Sequence, residues 1–223
     1  MTHNQYAPAW SPRDPWSAIT HLAGVALAIF GTIYLLSTGY KAGIKLFTTA
    51  FAVYGASMIL LYLASTLYHW LRVSEKGILA LRKLDHAMIY VLIAGTYTPI
   101  CLIALSGGWR AGLLTAVWVI AIGGILLTFF YFSAPRWLTT GIYIFMGWLA
   151  LAAIIPLTWT LPVAGFVWLF AGGIFYTAGG IIYGLKRSII NLPGFGFHEV
   201  FHLFVLAGSA CHYLLVLLIL AKM

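Results

Sequence analysis

The chain has 223 residues, of which 63% are hydrophobic and only 7% charged, with 12 Lys+Arg against 4 Asp+Glu. A water-facing surface needs roughly a quarter of its residues charged, so this composition excludes an ordinary soluble globular protein and equally a disordered one. The basic residues lie a few at a time between apolar runs and form no clustered face or nucleic-acid motif, so the positive balance reads as topology signal and anionic-lipid contact.

Crossing roughly 30 Å of hydrocarbon takes about 20 helical residues. Seven stretches qualify: Ser17–Thr38, Leu46–Leu71, Leu84–Leu105, Ala111–Phe132, a short fifth at Trp137–Pro156, Pro162–Leu185 and Val200–Ala221. Barrel strands would be about half that length with alternating polarity, so the expected fold is all-α, a polytopic bundle forming a single membrane domain over residues 1–223. The start, MTHNQYAPAWSPRDPW, has no basic region followed by an apolar core, so the first run is expected to be a permanent span. Cys101 and Cys211 fall inside apolar runs without a CxxC partner, which disfavours a disulfide framework.

Arg13, Arg72, Lys76, Arg82, Lys83, Arg136, Lys186 and Arg187 fall on one side of these spans, and Lys41, Lys45, Arg110 and Lys222 on the other. The positive-inside bias then places the N-terminus in the cytoplasm and the C-terminus outside, in a cell inner (plasma) membrane. In the sixth span, AGGIFYTAGGIIYG, the glycines Gly173, Gly180 and Gly184 permit close helix approach. Packing within one chain is the plainer reading, and a homodimer through this face is the other.

Ionisable residues inside an apolar chain are the informative ones. Asp14 and His21 stand near the start of span one, Ser65 and His69 near the end of span two, and Asp85 and His86 at the start of span three. His198, Glu199 and His202 begin span seven. With alternating span direction, all of these reach the same membrane face. His198 and His202 at i and i+4 share one helix face, and His69 is the natural third ligand. Imidazole suits Zn2+, and three histidines leave one tetrahedral position open, as in catalytic sites. A metal-free polar contact is the alternative for the histidine pair. Asp85 is the candidate general base. Ser65, one turn before His69, reads either as a partner for Asp85 or a substrate carbonyl, or as plain helix glue. Glu199 reads as a contact supporting a ligand or as a helix N-terminal charge, His86 as facing lipid headgroups, His3 as simple interface, His212 as a buried hydrogen bond, and His21 as a helix contact or a group supporting the site.

The segments SAITHLAG at 17–24, Ser65 with His69 as SxxxH, KLDHAMIYVLIAGTYTP at 83–99 and HEVFHLFVLAGSACHY at 198–213 carry a resemblance over nearly the whole chain. Together they resemble the hemolysin III family of bacterial seven-span proteins, within the progestin and adiponectin receptor (PAQR) superfamily. The resemblance implies zinc ligands at His69, His198 and His202, an ordered water at Asp85, and Ser65 as the associated polar residue. That family tends to place Glu and Asn just before the first-span TH, where this chain has Asp14 and Ser17 in DPWSAITH. Its metal arrangement is similar to that of alkaline ceramidases, which implies zinc-dependent hydrolysis of a lipid amide or ester, with membrane lipids as substrates or ligands. A lipid or membrane-state sensor is the second reading, and a cytolytic pore or transporter the third.

Overall fold

A computed structural model describes residues 11–187, 190 and 194–223; His3 lies outside them. It contains helices and no strand among the described residues. They are α1 (Pro15–Lys41), α2 (Lys45–Trp70), α3 (Glu75–Pro99), α4 (Gly107–Phe130), α5 (Arg136–Gly147), α6 (Ile154–Thr158), α7 (Val163–Leu185) and α8 (Phe197–Leu218). A π-helical turn at Ile100–Ala104 extends α3, and a 3-10 segment at Trp148–Ala153 joins α5 to α6. Counted as continuous rods, seven helices among the described residues are long and apolar enough to cross a membrane. The expected seven spans are therefore present, with shifted ends. Large apolar side chains such as Leu27, Phe30, Phe130 and Val163 point outward, which is the surface a lipid solvent requires.

Span three departs most from its expected bounds, beginning at Glu75 instead of Leu84. The charged stretch SEKGILALRK reads as a loop by hydropathy. Ser74 nevertheless caps the helix by accepting a hydrogen bond from the Gly77 amide at 3.3 Å, and Glu75 lies in the first turn, where negative charge favours helix. Arg82 and Lys83 thus project from a helix, and Lys83 donates to the Phe129 carbonyl at the end of α4 at 2.9 Å. At the other end, Pro99 cannot donate to the helical ladder, and the wider π turn follows it directly.

The short fifth span reads as one helix but is broken in its middle. The Tyr97 hydroxyl donates to the Gly147 carbonyl at 2.7 Å and accepts from the Ala150 amide at 2.8 Å, so a side chain from α3 stands inside the ladder of the fifth span. The Trp148 indole donates to Thr177 of α7 at 2.9 Å and fixes the break on its other side. Tyr97→Phe leaves a carbonyl and an amide unpaired in an apolar bundle. It is expected to destabilise the protein by about 1–3 kcal/mol, read as a lowered unfolding midpoint of the purified protein in detergent.

Neighbours follow chain order: α1 packs on α2, α2 on α3 and α3 on α4, while α7 packs on α8 and α8 returns to α1. Ser209 of α8 ties three helices together. It accepts from Tyr62 of α2 at 2.6 Å and bonds the Tyr176 hydroxyl of α7 at 2.8 Å. Gly180 and Gly184 face Thr140 and Ile144 of α5, with room for a Cβ at ordinary contact. The tight approaches of α7 fall one residue earlier. A Cβ on Gly179 would meet Phe204 at 2.8 Å, and one on Gly172 would strike the His212 ring. Gly180 is buried by these contacts within the chain.

Candidate metal centre

The end of α2 and the starts of α1, α3 and α8 meet at one end of the bundle. His69, His198 and His202 come together there, each presenting one ring nitrogen, with all three nitrogens within 4.8 Å of one another. The Nε2 atoms of His69 and His198 are 3.0 Å apart. Ring centroids lie 4.9 Å apart for His69 and His198, 5.1 Å for His69 and His202, and 4.6 Å for His198 and His202. His69 and His202 are buried, and His198 is partly buried at the mouth.

Hydrogen bonds outside the cluster set the tautomers. His69 donates from Nδ1 to Asp14 Oδ2 at 3.0 Å, which leaves its Nε2 lone pair facing His198. The Thr20 hydroxyl gives its proton to the Trp16 carbonyl at 2.9 Å, so its oxygen accepts from His202 Nδ1 at 3.4 Å. That leaves the His202 Nε2 lone pair for the cluster. Nitrogens at about 2.0–2.1 Å from one tetrahedral Zn2+ stand roughly 3.3 Å apart. The donor set, its spacing and its inward lone pairs fit a divalent cation.

Asp14 and Thr20 are the contributors that sequence reasoning left without a role at the cluster. Asp14 is held by its backbone, since its amide donates to the His69 carbonyl at 2.9 Å and the Arg13 amide to the Trp70 carbonyl at 3.3 Å. Its Oδ2 also accepts from the Arg13 guanidinium at 3.0 and 2.9 Å. Burial pushes the Asp14 carboxyl up, but the bonds from His69 and Arg13 and their charge outweigh it and hold the group below its ordinary 3.8. A carboxylate behind a ligating imidazole fixes ring orientation and raises basicity. Asp14→Asn is therefore expected to weaken affinity for a divalent metal ion about 10–100-fold, measured by competition with a chromogenic chelator. The acid's position before the first-span TH was the one signal that marked it.

The other expected residues sort clearly. Asp85 is buried close to His69 and to the Ser65 hydroxyl. Glu199 takes the N-terminal role expected of it, accepting from the Gly196 amide at 2.8 Å and from Ser17 Oγ at 2.7 Å. His212 makes its buried bond, to the Leu169 carbonyl at 3.2 Å. His86 is partly buried and lines a cleft beside Arg82 and Arg136. Its ring packs edge-on to Phe132, just past α4, and to Tyr183 of α7. His21 stacks on His202 at 3.6 Å with planes 10° apart.

A cavity of about 110 Å³ opens from the cluster into the bundle. Asp85, Ser65, His198 and His202 line its shallow end, and Trp148 and His212 its deep end. His202 and His212 are ten residues apart on one helix, about 15 Å along its axis. The walls between are largely apolar, from Leu61, Ile89, Leu92, Ile93 and Val205.

A histidine cluster at one end of a seven-span bundle, opening on an apolar cavity, defines a multi-pass membrane protein able to hold a metal ion. The sequence matches the family described as Haemolysin-III related over residues 10–213, and the chain belongs to that family. It is 41% identical over 207 residues to the Hemolysin-3 homolog of Bacillus subtilis (strain 168), covering 92% of this chain and 93% of that protein. It is 44% identical over 203 residues to Hemolysin-3 of Bacillus cereus, covering 90% and 89%. A more distant similarity, 26% over 168 residues, reaches the Monocyte to macrophage differentiation factor of Homo sapiens, covering 72% of this chain and 66% of that protein.

Proposed function

We propose that the protein is a zinc-dependent hydrolase of a membrane lipid amide or ester. The observation carrying this reading is that His198 and His202 of the three-histidine cluster line one apolar cavity together with Asp85 and Ser65. Zinc, when held by His69, His198 and His202, supplies Lewis acidity toward a carbonyl and acidifies water near neutral pH. The chain's own groups do the rest. The apolar walls take an acyl chain and exclude water. Asp85 receives the proton of the attacking water and returns it to the leaving amine or alcohol. Ser65, buried beside Asp85 at the cavity wall, donates to the substrate's carbonyl oxygen. Asp14 and Thr20 hold two of the imidazoles in the required tautomers.

The site faces the cytoplasm of an inner (plasma) membrane in this reading, since eight of the twelve Lys and Arg fall on its side. The test is fatty-acid release from a panel of lipid amides and esters in detergent. Release that stops with chelator and returns with zinc supports the reading. No release across the panel from zinc-loaded protein refutes it.

A second reading, a lipid or membrane-state sensor, is favoured by the origin of the ligands. His69 belongs to α2 and the other two to α8, so metal and cavity occupancy together set how these helices pack. Ligand-dependent change in α2–α8 spacing without turnover would favour it.

A further inference from the structure

The sequence has only 4 carboxylates for 12 Lys and Arg. Asp14 is taken by Arg13 and His69, and Glu199 by Ser17 and the Gly196 amide. Asp85 is buried at the cavity mouth, and Glu75 stands in the first turn of α3. Neither Arg82 nor Arg136 forms an ion pair among the described residues. Both line a second cleft of about 60 Å³, between the starts of α3 and α5 and the end of α4.

Aromatic faces hold the two guanidiniums in place. Arg82 lies 5.2 Å from the Phe132 ring centre, and Arg136 lies 4.6 Å from Tyr183 and 5.9 Å from Phe197. Arg136 donates over a long 3.5 Å to the Tyr183 carbonyl, which leaves most of its N–H donors without a partner among the described residues. Fixed guanidiniums with free N–H groups bind phosphate oxygens in bidentate fashion. The rim tells where the anion comes from. Phe130 is 84% exposed, Trp137 72% and Tyr131 59%. Such aromatics mark the headgroup level of a bilayer.

We propose that this cleft binds the phosphate of an anionic phospholipid headgroup, held by Arg82 and Arg136, with the acyl chains lying on the outer faces of α4 and α5. A soluble phosphate offers the same oxyanion, but the aromatic rim favours the lipid. The experiment places purified protein in phosphatidylcholine nanodiscs with a small fraction of phosphatidylglycerol and counts retained lipid by native mass spectrometry. Wild type is expected to enrich phosphatidylglycerol roughly tenfold, the ratio about 1.4 kcal/mol provides. Arg82→Gln and Arg136→Gln are expected to abolish the enrichment, and Arg136→Lys, which keeps charge and loses the fork, to reduce it. Lys76→Gln, an exposed charge on the same face, is expected to leave it unchanged. Unfolding midpoints confirm that the compared variants are folded. Enrichment surviving both glutamine variants, or lost equally with Lys76→Gln, overturns the site. Inorganic phosphate binding with similar affinity in pure phosphatidylcholine discs overturns the lipid assignment.

Discussion

Purified His202→Ala protein is expected to bind zinc at least about a hundredfold more weakly than wild type. Losing a residue that only orients a ligand costs about 10–100-fold, and His202 supplies a donor itself. Its Nδ1 is committed to Thr20, so its Nε2 is the atom offered to the cluster. The side chain is almost fully buried, so truncation also leaves a void beside His21, and loss of fold has to be separated from loss of metal. His21→Ala serves as the control. It removes the other member of the stacked pair at 3.6 Å but no nitrogen of the three-histidine set. Zinc content by plasma mass spectrometry should collapse in the first variant and persist in the second. Equal zinc in both, with both folded, would remove His202 from the site.

Asp85→Asn is expected to keep its zinc and lose about 10²–10⁴-fold in lipid hydrolysis, the range that a positioned proton acceptor contributes. Asn is nearly isosteric and cannot take a proton at the mouth of the cavity. Asp85 is not one of the three clustered residues, so metal content separates its role from theirs. Ser65→Ala should retain more activity, because a single neutral hydrogen bond is worth about 0.5–1.5 kcal/mol. Wild-type turnover in Asp85→Asn would leave the carboxylate as a buried structural group. Turnover and zinc lost together would make it part of the metal's support.

Much of this arrangement was legible in the chain. Long apolar runs force helices, because backbone amides in lipid have no other partner. The alternation of spans then brings the end of α2 level with the starts of α1, α3 and α8. The i, i+4 pair at His198 and His202 needed only helical geometry. Three things were not legible. The Asp14–His69 bond joins residues 55 apart, and neither carries a local mark of the other. The break in the fifth span depends on a tyrosine from α3, so it is invisible in the span's own hydropathy. His86 was placed by adjacency to Asp85, but its ring contacts with Phe132 and Tyr183, both distant along the chain, decide its surroundings.

Zinc-edge X-ray absorption on the purified, zinc-loaded protein tests the centre most directly. The account expects one zinc per chain in a shell of three imidazole nitrogens at about 2.0–2.1 Å with one further light-atom ligand, and loss of imidazole scattering in His69→Ala. A shell without imidazole, or a wild-type spectrum from His69→Ala, would contradict it.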